Sequence, residues 1–354
     1  MRCRARFMQT PLTLFLAALV LLAPGTAPAF TQPSLAISSG NDTGGYYAIS
    51  SAIAKIFNRK SAEYGVRIAT VASEGSLANI DNVVQGKAAF GIAQANMLHQ
   101  AANGHGPWEG KAQKGLRAVL TLYMEALTVV AAGDRKIERI TDLKGKRINI
   151  GAPGSSDREF GSILLELAGI KPSEVTLTER PTALAAELLQ KDDIDAYFFT
   201  VGHPNLSVLE ASAGKRKVSV FRLGRAGLPQ YLQEVSIGND EVMLVPLDKP
   251  LIQELTRRNP LLLPVEIPTH FYPGLEHQGL VPTIGVRAVL FTRADMAEDS
   301  VYRLVRDVMT NFDLFKRQHP VLQGLTPREA SSAATVVPLH PGAERYFREA
   351  GITP

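Results

Sequence analysis

Two periods trade places along most of this chain: short runs rich in apolar and β-branched residues, and longer stretches with apolar residues at helical spacing. Leu35, Ala36 and Ile37 belong to a strand predicted over residues 35–39. It ends in Gly40-Asn41-Asp42-Thr43-Gly44-Gly45, and Ile49, Ile53, Ile56 and Phe57 then mark one face of a helix. Residues 66–71 read as a second strand, Leu77, Ile80 and Val84 as the next helix face, and residues 88–93 as a third strand. Two further strands are predicted at 116–123 and 127–132.

The pattern restarts after Asp134. Strands are predicted at 147–150, 175–177 and 195–199, and helices at 160–167 and 182–189. Such alternation implies a mainly parallel sheet covered by helices on both faces, and its occurrence twice implies two α/β lobes. Residues 211–282 have many prolines and no clean period; a strand at 286–292 and a helix at 301–315 follow. The segments 127–132 and 286–292 read as hinge crossings. Residues 30–126 with 293–354 then form the first lobe, and 133–285 the second.

The first 29 residues change the picture of where the protein works. Arg2, Arg4 and Arg6 precede an apolar run over 12–22, then Pro24-Gly25 and Ala27-Pro28-Ala29. That is the layout of a secretory signal cleaved after Ala29, and the run is too short to span a membrane. The expected location is the periplasm. The sole cysteine, Cys3, lies ahead of the apolar run, so a mature chain would contain no thiol and no lipid-anchored cysteine. Subtracting the three leader arginines from the formal +4 leaves +1, which removes any compositional argument for nucleic acid. No other apolar stretch reaches spanning length.

Ligands of open α/β sheets bind beyond the carboxyl ends of the strands, where helix N-termini offer unpaired N–H groups. Three loops have suitable chemistry: Thr43-Gly44-Gly45-Tyr46-Tyr47, Ser73-Glu74-Gly75-Ser76 with Asn79, and Gly154-Ser155-Ser156-Asp157-Arg158. Any one of them is otherwise an ordinary N-cap. Three on successive strand-to-helix turns point to a binding cleft.

Several motifs, in order, resemble the TAXI family, the solute receptors of tripartite ATP-independent periplasmic (TRAP) transporters. They are Thr43-Gly44-Gly45-x-Tyr47, Gly75-Ser76-x-x-Asn79, Asp142-Leu143-Lys144-Gly145-Lys146-Arg147, Gly151-x-Pro153-Gly154-Ser155, Asp195-Ala196-x-Phe198-Phe199 and Gly202-His203-Pro204. Ile267-Pro268, Tyr272-Pro273-Gly274 and Pro338-Leu339-His340-Pro341-Gly342-Ala343 extend the likeness over about 37–351. The resemblance implies a two-lobed periplasmic-binding-protein-like fold of type II, which closes on a glutamate- or glutamine-like solute or a small organic acid and delivers it to TRAP permease subunits. It implies a first-lobe face of Thr43, Gly44, Gly45, Tyr47, Gly75, Ser76, Asn79 and Gln94. Gly154, Ser155, Ser156, Arg158 and Phe198 would face them. A monomer with no cofactor is expected. Where the family carries glycine and threonine after Gly154-Ser155, this chain has Ser156-Asp157; that carboxylate can repel an anion, pair with Arg158 or receive an amine. Asn96 replaces a common acid, and Glu74 a small residue.

A ligand-sensing partner of a membrane signalling protein would use the same cleft, and an enzyme could use the same fold. The catalytic inventory is thin. Seven histidines are scattered, and HExxH, a P-loop and G-x-S-x-G are absent. His203 and His340 each precede a proline and read as structural. Glu125, between the two predicted strands, faces either the cleft or solvent.

Overall fold

The computed structural model describes residues 34–40, 44–153, 155–213, 216–223, 229–237 and 242–353. The expected signal segment, Thr43 and Gly154 lie outside the described residues.

The first wing of the sheet is built from β1 (Ser34–Ser38), β2 (Arg67–Val71) and β3 (Phe90–Gln94), all parallel in the order β2-β1-β3. The helix Gly45–Phe57 follows β1 and buries Ile49, Ile53, Ile56 and Phe57, the face that its apolar spacing predicts. Two more helices, Ser76–Val84 and Ala95–Asn103, follow β2 and β3.

The centre of the sheet is antiparallel, unlike the parallel wings. Here β4 (Leu116–Ala132) is one unbroken strand through Glu125, where two strands are predicted. Nearly every residue of β4 is buried, as expected of a strand covered on both faces. The second wing consists of β5 (Arg147–Asn149), β6 (Thr176–Thr178) and β7 (Ala196–Val201), with β5 parallel to both neighbours and β7 antiparallel to β4. Its first helix is Ser156–Leu167. The predicted helix at 182–189 is instead a tight turn, Thr182–Leu184, running into a short helix, Ala185–Gln190.

The irregular stretch contains more structure than its composition suggests. β8 (Arg216–Leu223) and β9 (Pro229–Ile237) form a separate antiparallel pair, and β10 (Val242–Leu244) joins β4. β11 (Leu262–Pro268) pairs with the first half of β12 (Leu280–Arg293), whose second half pairs with β3. β4 and β12 run beside each other from Leu116↔Arg293 to Ala126↔Gly285, and so belong to both wings. The full order is β2-β1-β3-β12-β4-β7-β5-β6.

Packing follows this division. Ile37, Ile53, Phe57 and Leu290 form one apolar cluster with Val301, Leu304 and Phe347 from the C-terminal helices. Val130, Leu189, Tyr197, Leu244 and Tyr272 form another under the second wing. A third runs along the sheet from Val83 and Phe291 to Ile148, Phe160 and Phe198. Burying a side chain of this size stabilises the fold by about 1.5–3 kcal/mol. No helix among the described residues is long and apolar enough to cross a membrane.

Candidate functional site

β4 leaves the first wing and enters the second at Glu125. Its register partner on β12 is Val286, and the next residue, Ala126, pairs with Val201 at the end of β7. Glu125 is 4% exposed. Three neutral donors satisfy it: Gln94 Nε2 at 2.8 Å and Tyr46 OH at 3.1 Å on Oε2, and Tyr123 OH at 3.2 Å on Oε1. Burial pushes its carboxyl up to about 7; the hydrogen bonds oppose that shift, and the nearby charge of Asp157 adds to it. The same environment raises the Tyr46 and Tyr123 hydroxyls, through burial first and the Glu125 charge second, so both stay donors.

Asp157 comes from the opposite wing, in the first turn of the Ser156–Leu167 helix, and is also buried. Its carboxylate accepts from Thr182 Oγ1 at 2.7 Å and from the Thr200 backbone N–H at 2.7 Å. Burial raises it to about 6. Among the described residues the two carboxylates, one on each wing, thus have only neutral hydrogen-bond partners.

Around them the two halves meet closely. Gln100 Nε2 donates to Glu159 Oε1 at 2.6 Å, helix to helix. A side chain at Gly45 would put its Cβ 2.8 Å from Tyr123 OH, and one at Gly202 would lie 2.4 Å from Val321 Cγ2 and 2.8 Å from the Tyr123 ring. A cavity of about 60 Å³ remains beside Tyr123, lined by Gly45, Gly202, Pro204 and Asn205, with His319 and Val321. Beyond this space, His203 contacts Thr128 Oγ1 at 2.8 Å and Tyr272 OH, and burial lowers its pKa to about 3, so it is a neutral tie between strands. No group of three His, Cys, Asp or Glu among the described residues is arranged to hold a metal ion.

The expected site residues divide into those at the junction and those elsewhere. Gly44 caps the Gly45–Phe57 helix and Gly45 faces Tyr123. Ser76 Oγ accepts from the Gln94 backbone N–H at 3.1 Å and lies 3.3 Å from Tyr46 OH. Gly75, at φ +107°, has a backbone that favours glycine. Tyr47 is half-buried on a different face of its helix, whereas Tyr46 is the tyrosine on Glu125. Asn79 is fully used inside the first wing: Oδ1 accepts from Ser38 at 2.6 Å and Ser73 at 2.5 Å, and Nδ2 donates to the Ile92 carbonyl at 2.7 Å. Ser155 is an N-cap, accepting from the Arg158 N–H at 3.2 Å, and Ser156 opens the helix. The Arg158 guanidinium bonds Glu179 at 2.8 Å and is about half exposed. Phe198 is wholly buried against Gly161.

Tyr46, Tyr123, Asp157 and Thr182 are absent from the residues inferred as ligand contacts. Helical phase could have separated Tyr46 from Tyr47, because Tyr46 shares a face with Ile49, Ser50 and Ile53. For Glu125 the signal is a lone charge in the run 118–132.

A family model described as NMT1-like family matches residues 37–351. Among solved structures, MatC from Rhodopseudomonas palustris, determined with bound malate, is similar at a TM-score of 0.53 and 14% identity, over 91% of this chain and 98% of that one. The periplasmic binding protein BugD is similar at a TM-score of 0.51 and 13% identity, over 92% and 99%. The fold is therefore the two-lobed, type II architecture of periplasmic binding proteins, with Glu125 where β4 passes from one wing of the sheet to the other and Asp157 in the first helix of the second wing.

Proposed function

Since this chain belongs to the NMT1-like family, we propose that it is an extracytoplasmic receptor that closes its two lobes on one small polar solute and presents the closed form to a membrane permease. The observation that supports this most is the buried polar cluster contributed by both lobes, with Tyr46, Gln94 and Glu125 on one side and Asp157 on the other. Buried polar groups facing each other across a junction cost stability unless a ligand completes their bonding. A cavity of about 60 Å³ holds little more than water. A larger solute would enter by a parting of the lobes, which would bend where β4 and β12 cross near 127–132 and 286–292.

A solute touching both lobes favours closure by its differential affinity for the closed form. Micromolar binding corresponds to about −8 kcal/mol, within reach of a few desolvated, charge-assisted hydrogen bonds. The MatC structure holds malate, and on that likeness an acidic end of the solute would lie at the helix starts around Gly44, Gly45, Gly75, Ser76, Ser155 and Ser156. The TAXI-type motifs make TRAP permease subunits the proposed partner and the periplasm the proposed location.

A thermal-shift screen of amino acids, amines, dicarboxylates and oxo-acids tests this reading. A solute at one hundred times its Kd should stabilise the protein by about 2.7 kcal/mol and be recovered unchanged. A compound consumed on incubation would make the protein an enzyme and overturn the receptor reading.

A further inference from the structure

The Gln94 amide is oriented by Glu125. Its Nε2 donates to the carboxylate at 2.8 Å, since the reverse orientation would set two acceptors against each other. That leaves Gln94 Oε1 buried with no hydrogen-bond partner among the described residues, on a side chain that is 3% exposed. The junction therefore offers an unpartnered amide oxygen beside Glu125, with Asp157 arriving from the other lobe. All three are acceptors. The guanidinium nearest in sequence, Arg158, is turned to Glu179. Among the described residues every donor that reaches the two carboxylates is neutral: Gln94, Tyr46, Tyr123, Thr182 and the Thr200 backbone.

We propose that the solute is recognised through a cationic nitrogen, an ammonium group seated between Glu125 and Asp157 with Gln94 Oε1 as its third acceptor. An ammonium presents three donors and no acceptor, which matches this set. The arrangement also couples binding to closure. Without a cation, closing the lobes brings two carboxylates together in a dry site; with one, the same movement forms two charge-assisted contacts, one from each lobe. Burial raises both carboxyls, and a cation beside them would favour their charged forms. This inference rests on the receptor reading and narrows its ligand: a carboxylate on the solute is then secondary, and the amine decides.

Calorimetric titration of the wild-type protein, and then of one variant, with matched compounds tests it. The probes are glutamine and glutamate, their α-hydroxy and α-oxo counterparts, and putrescine as an amine without a carboxylate. The expected result is that at least one amine-bearing probe binds ten-fold or more tightly than every amine-free counterpart. Glu125→Gln, checked for folding by its thermal melt, should reduce that preference by at least ten-fold. Binding of the α-hydroxy or α-oxo acids as tightly as the amines, unaffected by Glu125→Gln, would overturn the ammonium site and leave a receptor for acids. Absence of binding by all seven probes would count against the receptor reading and this inference together.

Discussion

Gln94 Nε2 donates to Glu125 Oε2 at 2.8 Å, tying the last residue of β3 to the point where β4 passes between lobes. The bond crosses the sheet under β12, which lies between β3 and β4. It sets the side-chain geometry of the junction before any solute arrives.

Glu125 should make the ligand-free protein pH-sensitive. Its folded pKa, about 7, lies above the ordinary 4.5. A raised carboxyl contributes stability that is fully present below the unfolded value and lost as pH rises through the folded one. Unfolding free energy should therefore fall between about pH 4.5 and 7, by on the order of 3 kcal/mol from this group. Asp157, raised to about 6, acts in the same direction. Glu125→Gln should flatten its part of the profile, as read from denaturant midpoints across that range. A profile identical to wild type would show that the carboxyl is not buried as described.

Gly202→Val should impair closure more than folding. An added Cβ would lie 2.4 Å from Val321 Cγ2 and 2.8 Å from the Tyr123 ring, both in segments assigned to the other lobe. The variant should melt within a few degrees of wild type yet bind solute at least ten-fold more weakly. Small-angle scattering should find it extended at saturating solute.

The Gln100–Glu159 bond, 2.6 Å between facing helices, should act on release. Burial raises Glu159 while the Gln100 amide holds it down. Gln100→Ala should cost about 1–2 kcal/mol of closed-state stability, or roughly ten-fold faster solute dissociation, with little change in association. Stopped-flow fluorescence separates the two rates.

Arg158→Ala should leave affinity within about two-fold, because the half-exposed pair with Glu179 contributes less than about 1 kcal/mol. A ten-fold loss by calorimetry would mean that Arg158 swings into the cleft on binding.

Much of the fold is legible in the chain because its signals are local. Ile49, Ile53 and Phe57 fix one helix face, and the glycine-rich turns mark where strands become helices. The continuity of β4 was not legible. A lone acid in an apolar run looks like a strand end, and two distant donors, Gln94 and Tyr46, join the local Tyr123 in making Glu125 tolerable inside. Asn79 and Arg158 carry ligand-type chemistry, yet Ser38, Ser73, Ile92 and Glu179 use it, and all but Ser73 are more than ten residues away. Asp157 reads from sequence as a carboxylate near the cleft; Thr182 Oγ1 and the Thr200 backbone N–H, both distant in sequence, hold it in its buried place.

The most direct test of the receptor account is titration of the intact protein with the strongest compound from the thermal-shift screen, followed by mass spectrometry of the recovered compound. One equivalent should bind, return chemically unchanged, and bind at least ten-fold more weakly to Gly202→Val. Conversion of the compound, or equal affinity for the variant that cannot close, would contradict it.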